Sequence, residues 1–375
     1  MILSHVIASL DVRHGGPSKA TRALAEAQAE LNGEVDLAAG GATPSVEKIG
    51  HLTVTVLRRG WLRPIASIPA LAGHLRALSP DLIHAHGLWL RPLDVAHREA
   101  RARGIPLVLS PRGMMSPWSW RNHRWRKRLA NVLVHPGALA GVSGWHATSD
   151  EEAEDIRELG FTQPICVVPH GVEMPDATAL ALAREHWITA CPACADRPTA
   201  LFYSRFHPKK RVLELIDLWL EKAPAEWLLI VVGIPEFYSV ENLRSYVYRA
   251  GGSKRIEIFD GANRPAPYAA ASICLLPSHS ENFGMVVAEA LAAGVPALVT
   301  DSTPWKLLDS ARAGWCVPWS DYGTALQSAL EELPDSLKAR GANARAWTHA
   351  TFAWSNTARA LLAFYEDLLA RRRPA

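Results

Sequence analysis

Cysteine is scarce in this chain, with five among 375 residues. An odd number spread so thinly excludes a disulfide framework as the source of stability. Long apolar runs are also missing. Although 49% of the residues are hydrophobic, no eighteen consecutive positions are apolar, so no membrane-spanning helix is expected. The first residues show no basic segment followed by a cleavable apolar one, which makes a cytoplasmic location the expectation. Net charge is small, 40 Lys+Arg against 37 Asp+Glu. No finger motif or stacking platform accompanies the basic stretches, so nucleic acid is not an expected partner. No internal repeat or low-complexity tract is evident beyond a recurrence of alternating strands and helices.

Two motifs are incomplete. Gly15-Gly16 follows a first strand over residues 2–9 and precedes a helix, with Pro17 suited to the first helical position. The third glycine of G-x-G-x-x-G is absent, which disfavours a nicotinamide dehydrogenase. Cys191 and Cys194, in CPAC, have the spacing of half a zinc site or of a redox pair. No second C-x-x-C or paired histidine follows, so spacing alone assigns them no role.

What is present suits two domains, since 375 residues exceed what one core comfortably holds. The most informative stretch is residues 277–305, PSHSENFGMVVAEALAAGVPALVTDSTPW. The apolar run Ile273–Leu276 before it reads as a buried parallel strand. A helix then starts near Phe283 or Gly284, with Met285, Val286, Ala288, Leu291 and Ala292 on its apolar face. Gly294 and Pro296 stop it ahead of a strand over Ala297–Thr300. Helix-start amides aimed at the carboxyl edge of a sheet form an anion site. Glu281 and Glu289, about two helical turns apart, would be repelled by a diphosphate and should hold hydroxyl groups instead. Taken alone, an E-x7-E pair is better explained by a helix cap and a solvated surface residue; here it sits on a Gly-containing loop at a strand end, where ligands of open α/β sheets bind.

This segment closely resembles family 4 of the retaining glycosyltransferases (glycosyl transferases group 1), and the likeness covers nearly the whole chain. It implies the α/β GT-B fold, two Rossmann-like domains facing a central cleft. By the same resemblance, Glu281 meets the transferred sugar and Glu289 the ribose of a nucleotide, with Asn282, Phe283, Gly284, Met285 and Val286 near sugar and phosphate. Gly15 and Gly16 would lie near the donor diphosphate and the acceptor.

Elsewhere the likeness recurs at three places. DLIHAH ends a strand at Gly87; His84 and His86 are two apart and share one side of it. A metal pair is geometrically open to them, but a core histidine satisfied by backbone is commoner. The resemblance places His86 against the donor sugar and leaves His84 structural. ATSDEEAEDIRELGF and PICVVPHGVE match the end of the family's first domain. RFHPKKR, leaving the strand 200–204, puts Arg205 and Lys210 where the family binds phosphate, forming a clamp for a leaving diphosphate. Ser204 and Arg211 stand where the family usually has glycine. The stretch before the helix expected over 268–272 looks short, which leaves the base open.

Residues 100–149 hold eight Arg/Lys and no acid, a block that calls for an anionic neighbour. Within it a helix over 118–134 would interleave Trp118 and Trp125 with Arg121, Arg124 and Arg128, a composition suited to a membrane interface or to a solvated face with half-buried tryptophan. In the resembled family acceptors are often lipid-linked, so peripheral contact at the inner face of the plasma membrane is the expectation.

The expected domains are 1–173 for the acceptor, a linker at 174–198, 199–352 for the donor, and a helix at 353–375 returning to the first domain. The expected activity is a retaining hexosyltransferase in polysaccharide biosynthesis. It would use a UDP- or GDP-sugar and a glycan or lipid-linked glycan acceptor, without cofactor or metal, since no Asp-x-Asp pair occurs near these segments. An epimerase or phosphorylase on the same fold, or a glycan-binding relic, are the rival readings.

Overall fold

The computed structural model describes residues 1–11, 16–116 and 124–371. They form two compact units, Met1–Gly171 with Trp354–Ala375, and Val172–Ala353.

In the first unit, strands β1 (Leu3–Ile7), β2 (Val35–Gly41), β3 (Ser45–Ile49), β4 (Leu52–Arg58), β5 (Leu82–His86), β6 (Leu107–Ser110), β7 (Gly144–Ala147) and β8 (Ile165–Val167) make one sheet. Its order is β3-β4-β2-β1-β5-β6-β7-β8. Every pairing is parallel except β3 with β4. Strands β1, β5 and β6 are buried at every position, as expected where helices cover both faces of a parallel sheet. The helices are α1 (Gly16–Asn32), α2 (Leu71–Leu78), α3 (Arg91–Arg103), α4 (Arg124–Leu133) and α5 (Asp150–Glu158). Ser149 caps α5 by accepting from the Glu152 amide, and Asp150, Glu151 and Glu152 fill its first turn, which complements the helix dipole. Neither β3 nor α3 is legible in the composition. All five residues of β3 are exposed, including Glu47 and Lys48, so it shows no alternation, and as a charged edge it discourages further pairing.

The second unit has six parallel strands: β9 (Thr199–Tyr203), β10 (Leu228–Gly233), β11 (Ile256–Asp260), β12 (Ile273–Leu276), β13 (Ala297–Thr300) and β14 (Gly314–Val317). Their order is β11-β10-β9-β12-β13-β14. Along β10 the side chains alternate between two cores: Leu228, Ile230 and Val232 join one, Leu229 and Val231 the other. The helices are α6 (Ala177–Ala190), α7 (Ala193–Asp196), α8 (Val212–Lys222), α9 (Val240–Arg249), α10 (Met285–Ala292), α11 (Tyr322–Leu330) and α12 (Pro334–Phe352).

Residues 174–198, expected to be a linker, instead form α6 and α7 inside this unit. Asp176 caps α6 through the Ala179 amide at 2.7 Å. Trp187 is fully buried, with its indole donating to the Pro265 carbonyl at 2.9 Å and Phe259 edge-on at 5.5 Å. Burying such a side chain stabilises by roughly 1.5–3 kcal/mol, which holds the segment to the sheet despite its prolines. The helix expected over 268–272 is a short 3-10 turn, Pro267–Ala270.

The last helix, α13 (Trp354–Ala370), packs on α1 within the first unit. Leu361, Leu362, Tyr365 and Leu368 share a core with Leu24, Ala25 and Ala29.

Candidate functional site

Two loops at the carboxyl edge of the second sheet are stitched together before any ligand is considered. The loop after β12 is anchored by its Ser278 carbonyl, which accepts from the Thr300 hydroxyl at 2.6 Å and the Ser302 hydroxyl at 2.9 Å. It joins the loop after β9 through the His279 amide, which donates to the Lys209 carbonyl at 2.8 Å, and through the Arg211 guanidinium, which donates to the Pro277 carbonyl at 3.2 Å. Between them Lys210 pairs with Glu281. The Ser278 hydroxyl donates to the same carboxylate at 2.6 Å. Both partners of the pair are about nine-tenths buried, with side-chain exposures of 10% and 11%.

Gly284 makes the turn into α10, at φ 81°, in the left-handed region where a side chain is strained. A Cβ there would meet the Trp305 indole nitrogen at 3.1 Å. That indole donates to the Phe283 carbonyl at 2.6 Å, so Phe283 is buried and can serve a ligand only through its backbone. Beyond Gly284, the first amides of α10, at Met285 and Val286, have no acceptor within the helix. One turn further along, Glu289 accepts from the Tyr268 hydroxyl at 2.8 Å. Burial first, and then the Glu289 charge, push the Tyr268 pKa well up, so this phenol stays a donor. Tyr203, at the end of β9, stands edge-on to Tyr268 at 5.6 Å.

Lys210, Glu281, Asn282, Phe283, Gly284, Met285, Val286 and Glu289 therefore belong to one continuous region. Arg205, in the loop after β9, pairs its guanidinium with Glu236 at 2.9 Å, with 58% of the side chain exposed. The Arg211 guanidinium lies over the Trp319 ring at 4.4 Å. Its φ of 51° explains why glycine suits this position. Tyr268, Tyr203 and Gly233 have no signal in the sequence; a Cβ on Gly233 would lie 1.8 Å from the Ser204 carbonyl.

His86 lies in the first unit, inside a buried chain of side-chain hydrogen bonds. Because β1 and β5 pair in register, His5 stands beside His84. A guanidinium only donates, so Arg112, 2.9 Å from His86 Nδ1, forces that nitrogen to accept and puts the proton on Nε2. His86 Nε2 then donates to His5 Nδ1 at 2.9 Å, and His5 Nε2 to Gln28 at 2.7 Å. The Gln28 amide donates to Tyr365 at 3.4 Å, and the Tyr365 hydroxyl to His84 Nδ1 at 2.6 Å. His84 Nε2 donates to Ser110, whose hydroxyl donates to His146 Nδ1, both at 2.7 Å. His146 Nε2 ends the chain on the Val168 carbonyl at 2.9 Å. Arg112 also bonds Thr21 and His170.

One direction of donation runs throughout, and every ring in the chain is neutral. Burial, reinforced by Arg112, lowers His5 to about 4 and His146 to about 3 and holds His84, His86 and His170 well below the ordinary histidine value. Ring nitrogens of His5, His84 and His86 lie within 4.8 Å of one another, the reach of a metal triad. A cation there would face the Arg112 guanidinium and require the opposite His86 tautomer, so these residues do not fit one as arranged. His84 and His86 are satisfied by side chains rather than by backbone, and both His86 nitrogens are already engaged.

Gly16 opens α1. Gly15, Trp118 and Arg121 lie outside the described residues, as do the side chains of Arg124, Trp125 and Arg128. On α4, Leu129, Val132 and Leu133 are exposed by 50%, 65% and 62%.

Two α/β units, each built on its own mainly parallel sheet, are the build of a GT-B glycosyltransferase. Residues 15–171 match the family model "Glycosyl transferase 4-like domain", and residues 185–347 match "Glycosyl transferases group 1". The D-inositol 3-phosphate glycosyltransferase of Xylanimonas cellulosilytica is 31% identical over 335 residues, covering 79% of this chain and 73% of the relative. The chain belongs to the group 1 glycosyl transferases and is a glycosyltransferase. Among solved structures, sucrose-phosphate synthase from Thermosynechococcus elongatus superposes with TM-score 0.77 at 21% identity, covering 99% of this chain and 100% of that one. HepE of Anabaena, in complex with UDP-glucose, does so with TM-score 0.74 at 18% identity, covering 98% and 100%. No helix of the described residues is long and apolar enough to cross a membrane.

Proposed function

We propose that this chain is a retaining hexosyltransferase that takes its sugar from a UDP- or GDP-sugar and delivers it to a hydroxyl of a glycan or lipid-linked glycan, in polysaccharide or glycoconjugate synthesis. The observation that carries this reading is the juxtaposition of the Lys210–Glu281 pair with the start of α10 and Glu289. Positive ends suit a departing diphosphate, and the carboxylates suit the hydroxyls of sugar and ribose. HepE holds UDP-glucose in a structure of the same fold, which supports a uridine donor.

In this reading Lys210 and the Met285 and Val286 amides take up charge as the sugar–phosphate bond breaks. The departing phosphate oxygen accepts the proton of the attacking hydroxyl on the same face, which retains configuration. Arg205 joins them by exchanging Glu236 for phosphate. The lysine, the arginine and the helix amides do the work of a divalent ion, so no metal is required. His86 acts from within the buried chain, through Arg112, and the first unit receives the acceptor. The exposed apolar residues of α4, beside its basic residues, rest on an anionic membrane at its cytoplasmic side.

A thermal-shift panel of UDP-, GDP-, ADP- and dTDP-sugars on wild type and Glu289→Ala, followed by product analysis in EDTA, tests the proposal. One nucleotide class should raise the melting temperature of wild type, and the variant should lose most of that shift. A metal-dependent turnover, or equal shifts in both proteins, would overturn it.

A further inference from the structure

Cys191 and Cys194 have no part in the donor chemistry, yet they are placed as a pair. Cys191 ends α6, its amide donating to the Trp187 carbonyl at 2.8 Å, and Cys194 follows in a tight turn, its amide donating to the Cys191 carbonyl at 3.0 Å. Both thiols are almost fully buried, at 4% and 5% exposure. Neither belongs to any group of three metal-ligating side chains among the described residues, so the half-zinc-site reading finds no further ligands. Cys166, Cys274 and Cys316 are the remaining cysteines, all free.

The turn connects to the donor site through one apolar core. Trp187, one helical turn before Cys191, donates to the Pro265 carbonyl at 2.9 Å. Two residues later begins the 3-10 turn that carries Tyr268, and the Tyr268 hydroxyl donates to Glu289 at 2.8 Å. Cys191, Cys194, Trp187 and Tyr268 all belong to the same buried cluster.

We propose that Cys191 and Cys194 form a reversible disulfide by exchange with a low-molecular-weight disulfide, and that closing this bond weakens nucleotide binding through the α6–Pro265–Tyr268–Glu289 connection. The second half rests on the donor-site reading above.

The exchange runs in two displacements. The Cys191 thiolate attacks one sulfur of the small disulfide, forming a mixed disulfide and expelling one thiolate. The Cys194 thiolate then attacks the Cys191 sulfur and expels the second. The protein loses two protons and two electrons, and the small disulfide is reduced to two thiols. The neighbouring Cys194 thiol lowers the Cys191 pKa, and Cys191 in turn raises that of Cys194, a direction that favours Cys191 as the first nucleophile. A disulfide sets the two sulfurs about 2.05 Å apart, a constraint imposed on the end of α6, where Trp187 grips the Pro265 segment. Access comes when the end of α6 frays, a local opening that needs no global unfolding.

The full chain, reduced or incubated with oxidised glutathione, is examined by intact and peptide mass spectrometry and by UDP titration calorimetry, with GDP used where UDP does not bind. The expected product is two hydrogens lighter, with the bridge mapped to residues 191–194. Its nucleotide dissociation constant should be about fivefold or more weaker, within the usual range of coupling between sites. Dithiothreitol should restore both; tested separately, Cys191→Ser should bind nucleotide and form no bridge with glutathione disulfide, and Cys194→Ser should stop at a glutathione adduct on Cys191. Glutathione adducts without the bridge would overturn the proposal, as would a bridge that leaves affinity unchanged. If the reduced protein binds no nucleotide, the donor reading fails and the regulatory half with it, while the mass readout still decides the bridge.

Discussion

Strand β10 of the second unit and strand β5 of the first both lie between two parallel neighbours, and both are fully buried. The first of these reads LLIVVG and the second LIHAH. The second unit keeps its sheet apolar and places its polar chemistry on the carboxyl edge, where loops hold Lys210 and Glu281. The first unit carries polar groups through the sheet itself, in a hydrogen-bonded chain from Arg112 to Val168. An apolar interior tolerates any pH and defines position by shape alone. A buried polar chain defines position and tautomer together, and it depends on every link remaining neutral and paired.

The largest expected consequence of this difference is selective acid sensitivity of the first unit. Below the ordinary histidine value of 6.5 the unfolded chain takes up protons that the folded rings refuse. Stability is therefore fully present above that value and is lost as pH falls toward the folded values of about 4 for His5 and about 3 for His146. Each such ring costs about 1.4 kcal/mol per pH unit in this window. Amide hydrogen exchange followed by mass spectrometry at pH 7.5 and 5.5 should show protection falling in peptides of the first unit and holding in those of the second. Equal loss in both would contradict the contrast.

Next in size is Lys210→Ala, with an expected fall in kcat of about a hundredfold or more. Nucleotide affinity should change far less, because the ammonium acts mainly on charge that develops at the transition state. Comparing kcat with the calorimetric dissociation constant checks this, and an unchanged kcat would remove Lys210 from the chemistry.

Tyr365→Phe deletes the hydroxyl that links Gln28 to His84 and leaves a buried ring nitrogen unmatched. A loss of about 1–3 kcal/mol is expected, read as a lower urea midpoint in first-unit peptides only. The smallest effect should come from Glu236→Ala. Freeing Arg205 from an exposed pair costs at most about 1 kcal/mol of stability and should tighten nucleotide binding by a few-fold, measured by calorimetry. Weaker binding would mean that Glu236 itself serves the ligand.

Much of the second unit was legible because its chemistry is local in sequence. Glu281, Gly284 and Glu289 fall within nine residues, and a loop-to-helix turn brings them together whatever surrounds it. The orientation of Arg205 was not legible, since a long exposed side chain goes to its nearest acid, and Glu236 comes from a different loop. Residues 174–198 read as a linker because their prolines mark helix ends as readily as coil, and only the burial of Trp187 distinguishes the two. The first unit's chain was the least readable part. His5, His84, His146 and Tyr365 are scattered through the sequence, and no motif links them.

The sequence by itself determined the alternation of strand and helix, the family, and the residues of the α10 loop, because apolar periodicity and turn chemistry act over a few neighbouring positions. Tertiary structure alone decided which partner each polar side chain takes: Glu236 for Arg205, Tyr268 for Glu289, and Arg112 for His86. Those choices depend on distances between strands far apart in the chain, and a buried polar group must bond whatever packing brings within about 3 Å.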